Sequence, residues 1–262
     1  AAVVLDLRPD HRELRDARVR KALLAIIDRS ALIDEVLDWV GERADSPIPP
    51  PSWAFDPAKS PPVANDRRAA ATLLREAGWR RTDAGWVAPK ATKPYVIELL
   101  GPDEATDERL WTAAGAVAAD WRSFGFTVDH VGLPIGQLLE ERLRPGDFTA
   151  AVLEFDLTLD PDLYPLLAST QIVSSGLNLS GVQDPELDKR LVAARQPGTP
   201  EARMAAYGAV QEYLAGQQFL LPLYSRDVPV VLSDRLVGPA VRQIGGPGDR
   251  YWDVLTWRLA TG

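Results

Sequence analysis

Residues 146–188 read GDFTAAVLEFDLTLDPDLYPLLASTQIVSSGLNLSGVQDPELD, and the reading of the fold turns on this stretch. Thr149 to Phe155 is an apolar strand that ends in a run of carboxylates and turns. It leaves its sheet at Glu154, Phe155 and Asp156, and an Asp160-Pro161-Asp162 turn then starts a short helical piece through Tyr164 and Leu167. In open α/β sheets, ligands bind in the crevice beyond the carboxyl ends of the strands. These residues are therefore expected to form the lip of a pocket.

Working outward, Ala2 to Leu7 reads as a strand. A helical pair follows, with Val19, Leu23, Ile26, Ile33, Leu37 and Val40 on its apolar face and Ser30 as cap of the second helix. Residues 46–62, SPIPPPSWAFDPAKSPP, form an ordered surface crossing without regular structure, because each proline fixes φ and removes a backbone donor. Trp53 and Phe55 within it either staple the crossing to the core or, for Trp53, line the cleft. Asp66 caps a helix closed by Gly78, and a hairpin turns at Asp83-Ala84-Gly85. A strand from Tyr95 to Leu100, a helix capped by Thr106 and ended by Gly125, and a strand from Phe126 to Val131 make a strand-helix-strand unit. Pro134 to Leu143 is a short helix. Beyond the lip, Asp184-Pro185 and Thr199-Pro200 open two more helices, and apolar strand material closes the chain. The alternation means α/β.

The chain has 262 residues, 46% of them hydrophobic, and a net charge of −8 with no cysteine. That is enough apolar material for one large domain, or one and a fraction. The acidic balance argues against nucleic acid as partner, and the absence of cysteine excludes disulfides, thiolate zinc sites and thiol catalysis. No run of apolar residues is as long as a membrane span, and AAVVLDLRPD is not a signal peptide, so upstream targeting sequence is expected.

The order VRKALLAIIDRSALIDEVL, SPIPPPSWAFDP, AATLLREAGW, FDLTLDPDLYPLLAST, NLSGVQDPELDKRLVAAR and PEARMAAYGAVQEYLAGQQFLLPLY resembles the C-terminal half of family 5 solute-binding proteins. These are the oligopeptide, dipeptide and nickel receptors of ABC importers. The resemblance implies a two-lobed receptor of the periplasmic-binding-protein (type II) fold. Residues 1–220 would be its C-terminal ligand-binding lobe, and 221–262 a segment returning to an N-terminal lobe absent from this chain. It implies a peptide-like or other small polar ligand, delivery to a membrane permease, no cofactor, and an extracellular or periplasmic, membrane-anchored location. At the aromatic of the ligand strand this chain has Phe155. Where many members have the aspartate that pairs with a peptide's α-ammonium, it has Thr158, so Asp156 or Asp160 takes that role or the ligand has no ammonium there. The Leu-Gly-x-Asp-Pro-Asp pattern of one branch is matched with Thr158 in place of glycine.

The expected ligand-binding set is Trp53, Glu154, Phe155, Asp156, Thr158, Asp160 and Asn178. Each has a plainer reading. Asp160 and Asp162 cap a turn or helix start, and Asn178 holds its own turn after Gly176 or fixes a ligand amide. Glu154 and Asp156, two apart at a strand end, have the spacing of a glycosidase carboxylate pair. No nucleophile elbow or glycine-rich phosphate loop accompanies them, and His11 and His130 are far apart, so neither catalysis nor a metal is expected. A calcium reading of Asp156, Asp160 and Asp162 lacks the glycine and distal glutamate of a loop site. A regulatory or sensory domain of the same fold is the alternative to transport.

Overall fold

The structure, a computed structural model, describes residues 1–37, 41–172, 176–226, 232–240 and 247–260. Its centre is β1 (Ala2–Leu5), four apolar residues that are all buried. β1 lies between β7 (Ala150–Leu153) and β8 (Leu220–Pro222) and runs antiparallel to both, with Val3 opposite Val152 and Leu221. β5 (Val96–Pro102) runs parallel to β7 on one side and to β6 (Thr127–Leu133) on the other, giving the order β6-β5-β7-β1-β8. This register brings the carboxyl ends of four strands to one edge. Pro102 pairs with Leu133, while Leu153 and Pro222 both face Ala2.

Helices cover the sheet because their apolar faces have nowhere else to go. α1 (Ala17–Ile26), capped by the Asp16 side chain on the Arg18 N–H, precedes α2 (Arg29–Leu37). The cap of α2 is Asp28, whose Oδ1 accepts from the Ala31 N–H at 3.1 Å, and not Ser30, which already lies inside a helix that begins at Arg29. Val40 lies outside the described residues. Asp66 caps α3 (Arg67–Glu76), and Gly78 closes it at φ +83°. β3 (Arg80–Thr82) and β4 (Gly85–Val87) form the hairpin that leads to β5. α4 (Glu108–Phe124) packs on β5, β6 and β7; its cap is Asp107 and not Thr106, and Gly125 ends it at φ +103°. Trp121, fully buried on α4, donates from Nε1 to the Leu23 carbonyl at 3.0 Å and so fixes α4 to α1. α5 (Ile135–Gln137) continues into a π-helical turn at Leu138–Leu143. α6 (Tyr164–Leu167), α7 (Pro185–Ala194) and α8 (Pro200–Gln217) follow the lip, the last two capped by Asp184 and Thr199.

The proline-rich crossing has no regular structure between β2 (Gly41–Arg43) and α3; Gln211 of α8 holds its middle, donating to the Ala54 carbonyl and accepting from the Asp56 N–H, and one buried arginine ties its two ends. Arg29 is 3% exposed. Its Nη1 donates to the Ala44 and Pro222 carbonyls, and its Nη2 to the Val63 carbonyl at 2.6 Å and to Asp45 Oδ1 at 2.9 Å. One guanidinium therefore joins both ends of the crossing to the edge strand β8. Burial lowers its pKa and Asp45 opposes that shift.

The expected division at 220/221 falls inside β8. Leu221, Leu223 and Tyr224 are buried in this lobe, and β9 (Tyr224–Arg226) pairs with β2. The tail differs. Among the described residues β10 (Leu236–Val237) and β11 (Arg258–Leu259) pair only with each other, and Leu255 is 99% exposed, with Tyr251, Trp252 and Leu259 also exposed.

Two expectations follow. Arg29→Ala leaves the Ala44, Pro222 and Val63 carbonyls without this donor, while Asp45 keeps its pair with Arg43; the loss of these buried hydrogen bonds is expected to cost about 3 kcal/mol, read as a fall in the midpoint of denaturant unfolding. Asp6 is 1% exposed; its Oδ1 accepts from Arg8, its Oδ2 accepts no hydrogen bond and has the His11 imidazole 3.9 Å away, and burial pushes its pKa above the ordinary 3.8. A carboxyl raised on folding contributes stability that is complete below its unfolded pKa and is lost as pH rises through its folded one. Urea titrations from pH 4 upward should show that fall in the native protein and a flatter profile in Asp6→Asn.

Candidate functional site

The lip is built where the four strand ends meet. β7 stops at Leu153, and Glu154, Phe155 and Asp156 continue past the sheet edge beside Tyr224–Arg226, which follow directly from β8. Arg226 donates to Glu154 Oε1 from Nε at 3.1 Å and from Nη2 at 2.8 Å, and this bond raises the Arg226 pKa. Glu154 is thus half of an ion pair, not one of two free carboxylates facing each other as a glycosidase needs. Phe155 is half-buried against the core. Asp156 is exposed and forms no hydrogen bond or ion pair among the described residues, though Arg226 senses its charge at longer range. The Tyr224 hydroxyl, buried without a partner, has its pKa raised first by burial and then by the Glu154 charge.

The rest of the loop is fastened down. Asp160 accepts from Arg203 Nη2 at 2.7 and 2.8 Å and from the Tyr207 hydroxyl at 2.8 Å. Arg203 and Tyr207 are one turn apart on α8, so both reach the same carboxylate. The Thr158 hydroxyl donates to the Asp160 carbonyl at 2.6 Å. Trp53 donates from Nε1 to the Leu159 carbonyl at 2.9 Å, meets the Tyr207 ring edge-on at 5.4 Å, and lies under the Arg203 guanidinium. Asp162 caps the turn into α6 through the Tyr164 N–H and pairs with Arg195. Trp53, Thr158 and Asp160 are therefore brought together as a clasp that holds the 156–163 loop on α8.

Asn178 does not reach the lip. It is 2% exposed, its Nδ2 donates to the carbonyls of Leu167, Ala168 and Val182, and its Oδ1 accepts from Ser180 and the Val182 N–H. With every amide valence filled by its own chain, it cannot fix a ligand amide, and the expectation that it meets ligand is corrected. Arg203, Tyr207 and Arg226 were missed. The four-residue spacing of Arg203 and Tyr207 was visible on the helix, whereas nothing in LYSRD points 72 residues back to Glu154.

Among the described residues no cluster of His, Asp and Glu could hold a metal, and no helix is long and apolar enough to cross a membrane. A groove of about 500 Å³ lies between Phe55–Lys59 and the Met204–Glu212 side of α8, but no lip residue lines it.

Residues 1–172 match the family described as bacterial extracellular solute-binding proteins, family 5 Middle. The chain belongs to this family. Among curated family 5 relatives it is 30% identical over 226 residues to Protein XP55 of Streptomyces lividans, covering 85% of this chain and 40% of that protein. It is 26% identical over 248 residues to the oligopeptide-binding protein AppA of Bacillus subtilis, covering 94% and 44%. The chain thus spans less than half the length of these relatives. In fold it is similar to AppA solved with a nonapeptide (TM-score 0.79, 23% identity, 99% of this chain and 50% of that one). It is likewise similar to NikZ from Campylobacter jejuni solved with Ni(L-His) (TM-score 0.78, 22% identity, 98% and 51%). The α/β lobe is that of a family 5 solute-binding protein.

If the clasp fixes the lip, Asp160→Ala and Tyr207→Phe should each speed amide exchange across 156–163. The expected increase is roughly tenfold for Tyr207→Phe, which loses one hydrogen bond to a charged acceptor, and larger for Asp160→Ala, which loses the bonds from both Arg203 and Tyr207; β7 should keep its protection.

Proposed function

We propose that this chain is one lobe of an ABC-importer substrate-binding protein. It holds a peptide-like or other small polar solute against the 154–158 lip and presents it to a membrane permease. One observation carries the assignment of the ligand contact: of the four carboxylates between 154 and 162, Arg226 pairs with Glu154, Arg203 with Asp160 and Arg195 with Asp162, which leaves Asp156 unpaired. A cationic group of a ligand finds its partner there and nowhere else on this segment, because a carboxylate already in an ion pair gains little from a second cation. Phe155 and the backbone beside it supply the apolar wall. Glu154–Arg226 offers a fixed donor edge to a ligand carboxylate, and Trp53, Thr158 and Asp160 act by holding the loop.

Residues 1–226 form the lobe, and the exposed tail with Leu255, Tyr251 and Trp252 is covered by an N-terminal half that closes the other side of the cleft, since an apolar group of that size is normally buried. The protein works outside the cytoplasm, held at the membrane by an anchor, without cofactor and without turnover of its ligand.

The test is calorimetric titration of the intact two-lobed protein with short peptides bearing free or acetylated N-termini. Asp156→Asn should weaken binding of the free-amine peptides about 10- to 100-fold and leave the acetylated ones unchanged. Equal losses for both, or a loss that follows Asp160→Asn and spares Asp156→Asn, would move the contact elsewhere.

A further inference from the structure

Residues 67–93 carry seven basic and two acidic side chains in a chain whose net charge is −8, so the rest of the surface is more acidic than that figure shows. All seven cations are exposed. None of them forms an ion pair among the described residues, although most of the described cations elsewhere do. Asp66, the nearest acid in sequence, is occupied by the Arg68 and Ala69 N–H groups as the helix cap.

The folding of this stretch gathers the charge. Arg68 and Arg75 lie two turns apart on one side of α3, turned away from buried Ala70 and Leu74. Arg80 Nη2 donates to the Ala91 carbonyl at 2.8 Å, which draws β3 against the loop that carries Lys90 and Lys93. Arg67 and Arg81 converge on the carboxyl end of α4. Arg67 donates to the Ser123 hydroxyl and covers the Phe124 ring, and Arg81 lies against Gly125. Those two have a local use, since cations favour a helix carboxyl terminus, and so has Arg80, through the Ala91 carbonyl. Arg68, Arg75, Lys90 and Lys93 have no such contact among the described residues, and their mutual repulsion is a cost of the folded state.

We propose that this face is a docking surface for an anionic lipid bilayer. The hairpin feeds the start of β5 at Val96, whereas the lip lies at its other end, Pro102, so the face is at the pole of the sheet opposite the ligand edge. Charge is all it offers. Trp79 and Trp86, the aromatic residues of the stretch, are 3% and 2% exposed, so there is no ring on which nucleic-acid bases could stack. Lipid headgroups ask for charge alone. The acidic remainder of the surface is repelled by the same headgroups, so contact is confined to this pole and the bilayer sets the orientation of the lobe while leaving the lip free.

The experiment is co-sedimentation of the protein with vesicles of equal parts phosphatidylglycerol and phosphatidylcholine, at low salt and again near 0.5 M salt. Binding should appear at low salt and fall at least about tenfold at high salt, where the Debye length is only a few ångströms. The triple variant Arg68→Glu/Arg75→Glu/Lys93→Glu should lose the low-salt binding by a similar factor. The neutralising pair Arg75→Gln/Lys93→Gln should lose part of it, and Lys59→Glu and Lys189→Glu, charges elsewhere, should keep it. Equal binding to pure phosphatidylcholine, no difference between native and triple variant, or tighter binding to a DNA duplex than to the vesicles at the same salt would overturn the proposal. Ligand titration of the triple variant separates this result from the transport reading, because the lip is untouched by it.

Discussion

Arg29 is the interaction on which the geometry of this lobe depends. A buried guanidinium has five donors in a fixed plane, and here the four on Nη1 and Nη2 are answered by carbonyls from Ala44, Pro222 and Val63 and by the Asp45 carboxylate. The proline-rich crossing makes only short turns of its own, at Ser52, Phe55 and Lys59, because its prolines lack backbone donors. Tied at both ends to Arg29, it is set against α8, and this places Trp53 where its indole can take the Leu159 carbonyl. The position of the lip loop is in that sense inherited from a charge buried on a different helix.

The lip shows how carboxylates in one loop acquire different roles. Glu154, Asp160 and Asp162 each meet an arginine from a separate element, β9, α8 and α7 with its following residue, and so serve to hold the loop together. Asp156 is left to solvent. A loop with four free carboxylates would repel itself, whereas here three are neutralised and one is left to solvent. Burial adds to this on the structural side: the Tyr207 hydroxyl, its pKa raised by desolvation first and by Asp160 second, stays a donor to that carboxylate over the ordinary pH range.

Local chemistry made much of the fold legible. Asp66, Asp184 and Thr199 read as caps because a short acceptor side chain sits just ahead of an amphipathic run, and Gly78 and Gly125 as stops because the chain there needs φ above zero. The two caps misplaced, Ser30 for Asp28 and Thr106 for Asp107, fall where two candidates stand within two residues and only backbone geometry chooses between them. The placement of β8 in this lobe was not legible, since pairing with β1 joins residues more than two hundred apart. The same is true of the site. Glu154 and Asp160 stood out as acidic residues after a strand, but whether each is free depends on Arg226 and Arg203, which no local pattern connects to them. Asn178 looked available for the same reason, until its turn folded around it.

The most direct measurement is hydroxyl-radical footprinting of the intact protein with and without a bound solute. The account predicts protection confined, in this lobe, to Phe155 and its neighbours on the 154–158 lip, with Met204 and Phe55 in the outer groove unchanged. Protection of Met204 and Phe55 with the lip unaffected would contradict it and make the groove beside α8 the ligand site.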